Sequence, residues 1–61
     1  MRHNTHQSLY PRAVYLAWAR DTIRAARAHR ARPSLAAGLL DRAAAYRRLA
    51  SVAAAAGRNR A

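Results

Sequence analysis

From Leu9 onward, apolar residues recur at helical spacing in two segments separated by a proline-containing break. In the first segment Val14, Tyr15, Trp18 and Ala25 gather on one side. Arg20, Arg24 and Arg27 line up at i, i+4 and i+7 on another. In the second, Leu35, Leu39, Ala43, Tyr46, Leu49, Ala50 and Ala53 form the apolar stripe. The pattern predicts an all-α chain with helices over about 11–31 and about 34–56, together making a unit over 9–57. A polar, aperiodic arm covers 1–8 and a basic tail covers 58–61.

The start and stop signals agree with this division. Ser8 is placed to act as an N-cap, and Pro11 suits a first helical turn, where its missing N–H costs nothing. His29, Arg30 and Arg32 put positive charge where a helix C-terminus favours it. Pro33 then stops the first helix, because the residue before a proline is pushed out of the α region. Ser34 is the expected cap of the second helix, and Gly57 its C′ residue.

Two helices of about 20 residues joined by two or three must fold back on each other as an antiparallel hairpin. With a turn centred on Arg32 and Pro33, positions whose numbers sum to about 65 lie side by side. That register sets Asp41 opposite Arg24, and Asp21 near Ala44 and Arg47, so each acid is expected to have a cross-helix partner. A lone hairpin leaves part of its apolar surface uncovered, since Tyr15, Leu16, Trp18, Ile23, Leu40 and Val52 do not fit one seam. Completion as a bundle by a homodimer or a larger partner is therefore expected.

Charge changes the picture most. Twelve arginines face only two aspartates, for a formal net charge of +10, with no lysine or glutamate. A GC-rich codon preference accounts for arginine in place of lysine and for much of the alanine. It does not account for the missing acids, which have GC-ending codons of their own. The surplus points to an anionic partner. There is no cysteine, hence no disulfide or thiolate site, and a reducing, cytoplasmic setting is expected. Arginines interrupt every long alanine run, so no transmembrane segment is expected.

Catalytic raw material is sparse, and the expectation is a non-enzymatic protein with no cofactor and no small-molecule substrate. Asp21 and Asp41 read as surface ion-pair residues, and Ser8, Ser34 and Ser51 as cap or surface positions. Met1-Arg2-His3 can offer an amine, two amide nitrogens and an imidazole to square-planar copper(II) or nickel(II), with His6 nearby. Three-residue patterns of this kind arise often by chance, and no metal site is assigned.

The strongest constellation is arginine: Arg20, Arg24 and Arg27, with Arg12 and Arg30 flanking, and the Arg47 and Arg48 pair. Guanidinium groups grip phosphate or carboxylate through two parallel hydrogen bonds. Tyr15, Trp18 and Tyr46 are the candidate interface aromatics. Nucleic acid is the leading partner, bound as a phosphate track with little base readout. The alternative is an inhibitor or adaptor of the kind carried by phages and mobile elements, anti-CRISPR-like in size and class. Such a protein docks on an acidic surface of a nucleic-acid-handling complex. A membrane-surface helix is disfavoured, because an alanine-rich face partitions poorly.

Leu9-Tyr10-Pro11-Arg12-Ala13-Val14, with Trp18 a turn later, resembles the passage from strand through proline into the first helix of ribbon-helix-helix repressors. The resemblance covers the first third of the chain. It implies an arm that pairs as a strand with a second copy, giving Thr5 and Gln7 a base-reading role. The chain departs from that pattern in its weak strand propensity before the proline and in its long first helix.

Overall fold

The computed structural model describes residues 10–60, which form two helices, α1 (Arg12–Ala28) and α2 (Pro33–Arg60), packed as an antiparallel hairpin. The expected all-α hairpin is what the chain forms. The arm at 1–8, with the Ser8, Thr5, Gln7, His3 and His6 readings, lies outside the described residues.

Pro11 occupies the N-cap position of α1, one residue before the helix, with φ −57° and ψ 149° and no side-chain cap. Its carbonyl accepts from the amides of Val14 at 2.9 Å and Tyr15 at 3.5 Å. At the other end α1 stops at Ala28, three residues earlier than the sequence suggests. The His29 amide donates to both Ala25 and Ala26 carbonyls, at 3.1 and 3.2 Å, and the His29 carbonyl accepts from Arg32 at 2.8 Å. Reversing the chain takes the four residues His29–Arg32, more than the two or three expected.

Pro33 opens α2 and does not follow α1 directly. Arg32 stands in the cap position, its carbonyl accepting from the Ala36 amide at 3.0 Å. Proline at the first helical position loses no hydrogen bond and has φ already set, so Pro33 does the starting work assigned to Ser34. At the far end α2 continues through Gly57 to Arg60. Gly57 carries an ordinary helical φ and open space around its Cα, so it neither needs nor provides a left-handed stop.

The seam is built from small residues. On α1 the row Tyr15, Ala19, Thr22 and Ala26 turns inward; on α2 the row Ala36, Leu39, Ala43, Tyr46 and Ala50 does so, all buried or half-buried. Each row steps by three or four residues, the spacing that keeps one helix face toward a neighbour. The stripe differs from the expected one at its ends. Ala36 lies in the seam beside Leu39, while Leu35 and Leu49 stay exposed. Alanine lets the axes approach closely, and a leucine in its place would push them apart.

Such a seam buries little. The buried side chains among the described residues are Tyr15, Ala19, Ala26, Ala43 and Ala50, and a buried methyl contributes only about 0.8 kcal/mol. Aromatic contacts make up part of the difference. Tyr10, Tyr15, Trp18 and Tyr46, which are all the aromatic residues of the chain, meet edge-on with ring centroids 5.1 to 6.0 Å apart. The Trp18–Tyr46 contact crosses the hairpin and agrees with the expected register of about 65.

The cross-helix ion pairs do not form. Asp21 bridges Arg24 within α1 at 3.7 Å, both side chains being at least 70% exposed. Asp41 is exposed on α2, with no ion pair among the described residues. Acids on the outer surfaces of an antiparallel pair point away from the seam, so sharing a level does not bring them together.

Candidate functional site

Helix periodicity places Trp18 and Ile23 on opposite flanks of the α1 seam row, because five residues carry the chain well over a third of a turn past a full one. The hairpin thus has two broad sides. On one, Trp18, Tyr10 and Tyr46 cluster. On the other stand Ile23 and the arginines.

The arginine side is the candidate site. Arg20, Ile23, Arg24 and Arg27 line an open depression of about 280 Å³ along α1. Beside it, toward the turn, a cleft of about 360 Å³ lies between the helices, lined by Ile23, Ala26, Arg27, Arg30, Ala36 and Leu40. Ile23 and Arg27 belong to both, which makes the two one continuous surface with an aliphatic floor and guanidinium walls.

Each arginine is held there by its helix. Arg20, Arg24 and Arg27 follow one another by about 6 and about 4.5 Å along the axis. All three are exposed. Arg47 stands two turns beyond Leu40 on the same flank of α2, and Arg48 is rotated one residue further toward the outer edge, both exposed. Arg30 reaches the cleft from the turn. The hairpin therefore gathers Arg20, Arg24, Arg27, Arg30 and Arg47 onto one side, with Arg48 at its margin.

Arg24 is shared with Asp21, an exposed i, i+3 pair worth about 0 to 1 kcal/mol that an incoming anion readily displaces. Neither aspartate lines either depression. Arg42, seven residues after Leu35, belongs to the opposite side.

The three candidate interface aromatics differ in exposure. Tyr15 is 4% exposed, and its hydroxyl accepts from the Tyr10 amide at 3.1 Å. It is core, closed to a partner. Tyr46 is half-buried and Trp18 37% exposed, their rings engaged with each other and turned from the arginine side. No aromatic residue is among those lining the two depressions.

The sequence reading missed the cleft. Its signal was present in the spacing Arg20-Ile23-Arg27, an aliphatic residue three after one arginine and four before the next, with Leu40 at the matching level of α2. Reading Ile23 and Leu40 as surplus apolar surface separated them from the charges they adjoin.

No group of three or more histidine, cysteine, aspartate or glutamate residues capable of holding a metal occurs among the described residues. No helix among them is long and apolar enough to cross a membrane. The chain matches no protein-family model, and no curated protein or solved structure is detectably similar to it.

Proposed function

We propose that the hairpin is a non-enzymatic nucleic-acid-binding module that tracks a phosphate backbone with its arginine side. The observation that carries this reading is the convergence of Arg20, Arg24, Arg27, Arg30 and Arg47 on one side, with no acid lining its depressions. Arginines that close repel one another unless an anion lies between them, and phosphate accepts two parallel hydrogen bonds from each guanidinium. The aromatic rings face elsewhere, which favours a duplex over a single strand whose bases must be stacked. A homodimer completing the bundle belongs to this reading, as does a cytoplasmic setting.

Titration of labelled duplex and single-stranded DNA and RNA at about 50 and 200 mM salt tests it. Six or more phosphate contacts make affinity fall about a thousandfold or more between the two conditions. The triple variant R20Q/R24Q/R27Q lowers the slope of log affinity against log salt by about 3. Absent or weak binding at the lower salt overturns the reading.

One observation favours a protein partner as the second reading. The Ile23, Ala26, Ala36 and Leu40 floor between Arg27 and Arg30 suits an apolar side chain flanked by carboxylates. On that reading the protein is an inhibitor or adaptor on an acidic protein surface. Its binding tolerates salt and is lost in Ile23→Gln and Leu40→Gln variants.

A further inference from the structure

Phosphate needs no aliphatic floor, yet the arginine side has one. Ile23, Ala26, Ala36 and Leu40 line the cleft of about 360 Å³ together with Arg27 and Arg30. Ala26 is buried, Ile23 and Ala36 are half-buried, and Leu40 is 51% exposed. The two helices therefore leave aliphatic surface in water directly beside guanidinium groups.

Position along the chain gives the cleft a direction. Arg27 follows Ile23 by one turn of α1, and Arg30 stands in the reversal between the helices, so both charges lie toward the turn end of the floor. No acid lines the cleft. Among the described residues neither Arg27 nor Arg30 has an ion pair, whereas Arg24 is engaged by Asp21.

We propose that this cleft binds a short aliphatic acid, its carboxylate between Arg27 and Arg30 and its chain laid over Ala26 and Ala36 toward Ile23 and Leu40. Each half of such a ligand answers an observation. Guanidinium groups without acids take a carboxylate through parallel hydrogen bonds, and an alkyl chain covers exposed aliphatic surface with a gain for every methylene. The floor also sets the chain length. Ile23 to Ala26 spans about 4.5 Å and Ala36 to Leu40 about 6 Å. An extended alkyl chain, with bonds of about 1.5 Å, advances about 1.25 Å per carbon, so about five carbons beyond the carboxylate cover the floor. Further carbons run out toward Arg20 and Arg24, which line the adjoining depression, and gain little.

The site goes beyond the nucleic-acid reading, and one consequence rests on that reading. Arg27 and Arg30 belong to the side that would hold phosphate, so a bound acid withdraws two of its arginines. The acid then competes with a duplex without any change of fold.

Ile23 is the single isoleucine of the chain, which makes its methyl group a reporter for the cleft. Full-length protein carrying carbon-13 at the isoleucine δ1 methyl is titrated with acetate, butanoate, hexanoate and octanoate at a fixed ionic strength of about 150 mM. The Ile23 methyl shift is expected to saturate with hexanoate. Affinity rises about two- to fourfold per added methylene up to hexanoate, then by less than about twofold in all from hexanoate to octanoate. Arg27→Gln and Arg30→Gln each weaken hexanoate by about tenfold. Arg42→Gln, which has the same net charge and lies on the opposite side, changes it by less than about twofold. Far-UV circular dichroism at the native level certifies the fold of each variant.

An Ile23 methyl that does not move overturns the site. So does a hexanoate affinity no greater than that of acetate, or an Arg42→Gln effect as large as that of Arg27→Gln, since either reduces the binding to general charge attraction. In parallel, labelled duplex is titrated in saturating hexanoate and in acetate of equal concentration. Weaker duplex binding in hexanoate is expected, and equal binding overturns the shared use of Arg27 and Arg30. Saturable hexanoate binding in a protein that holds no duplex upholds the cleft and overturns the nucleic-acid reading.

Discussion

Trp18 on α1 meets Tyr46 on α2 edge-on, with ring centroids 5.6 Å apart and planes at 60°, in a ring contact that crosses the hairpin. Edge-to-face pairs contribute about 0.5 to 1.5 kcal/mol beyond the area they bury. A double-mutant cycle of Trp18→Leu and Tyr46→Leu is expected to show a coupling in that range. Urea unfolding followed by far-UV circular dichroism at one fixed protein concentration measures it.

Among the described residues Tyr15 is the one large side chain that is buried, so it carries a disproportionate share of the core. Tyr15→Ala is expected to destabilise by about 3 kcal/mol, enough to unfold a hairpin of this size. Tyr15→Phe keeps the ring and removes the acceptor of the Tyr10 amide, at about 0.5 to 1.5 kcal/mol. The two variants separate packing from hydrogen bonding in the same unfolding measurement.

Gly57 lies inside α2 with free space where a side chain would go. Gly57→Ala is expected to raise stability by about 0.5 to 1 kcal/mol and to add helical signal. A glycine terminating the helix in the left-handed region gives the opposite sign, a loss on substitution. The sign of one thermal-melt shift decides between them.

Asp41 has no ion pair among the described residues, and Asp21 has only its exposed neighbour Arg24. Asp41→Asn is therefore expected to change stability by less than about 0.5 kcal/mol. The same substitution raises the net charge by one and is expected to strengthen duplex binding modestly at 50 mM salt, the two effects being read by melt and by titration.

The helical hairpin was legible because alanine and arginine favour helix throughout and Pro33 marks the one break. Its details were less so. Proline reads equally as the end of one helix or the start of the next, and the four-residue turn at His29–Arg32 resolved that choice in favour of a start. Choosing the seam between Leu35 and Ala36, or between Leu49 and Ala50, required knowing how closely the axes approach. A leucine in a stripe attracts assignment to the core, yet the alanine beside it is what a tight seam takes. The arginine side was visible as a list of residues. That Arg47 joins Arg20 and Arg27 across the hairpin depends on how the second helix is rotated, which an apolar stripe of leucine and alanine alike leaves open.

All four aromatic rings of the chain share one cluster in the half of the hairpin away from the turn. The molecule is in consequence optically lopsided. Tryptophan emission and near-ultraviolet dichroism report the end where the helices part, and the turn with Arg27 and Arg30 is dark. A ligand seated in the Ile23–Leu40 cleft leaves the intrinsic fluorescence unchanged unless it reshapes the whole hairpin. A silent emission spectrum is therefore no sign of an empty cleft.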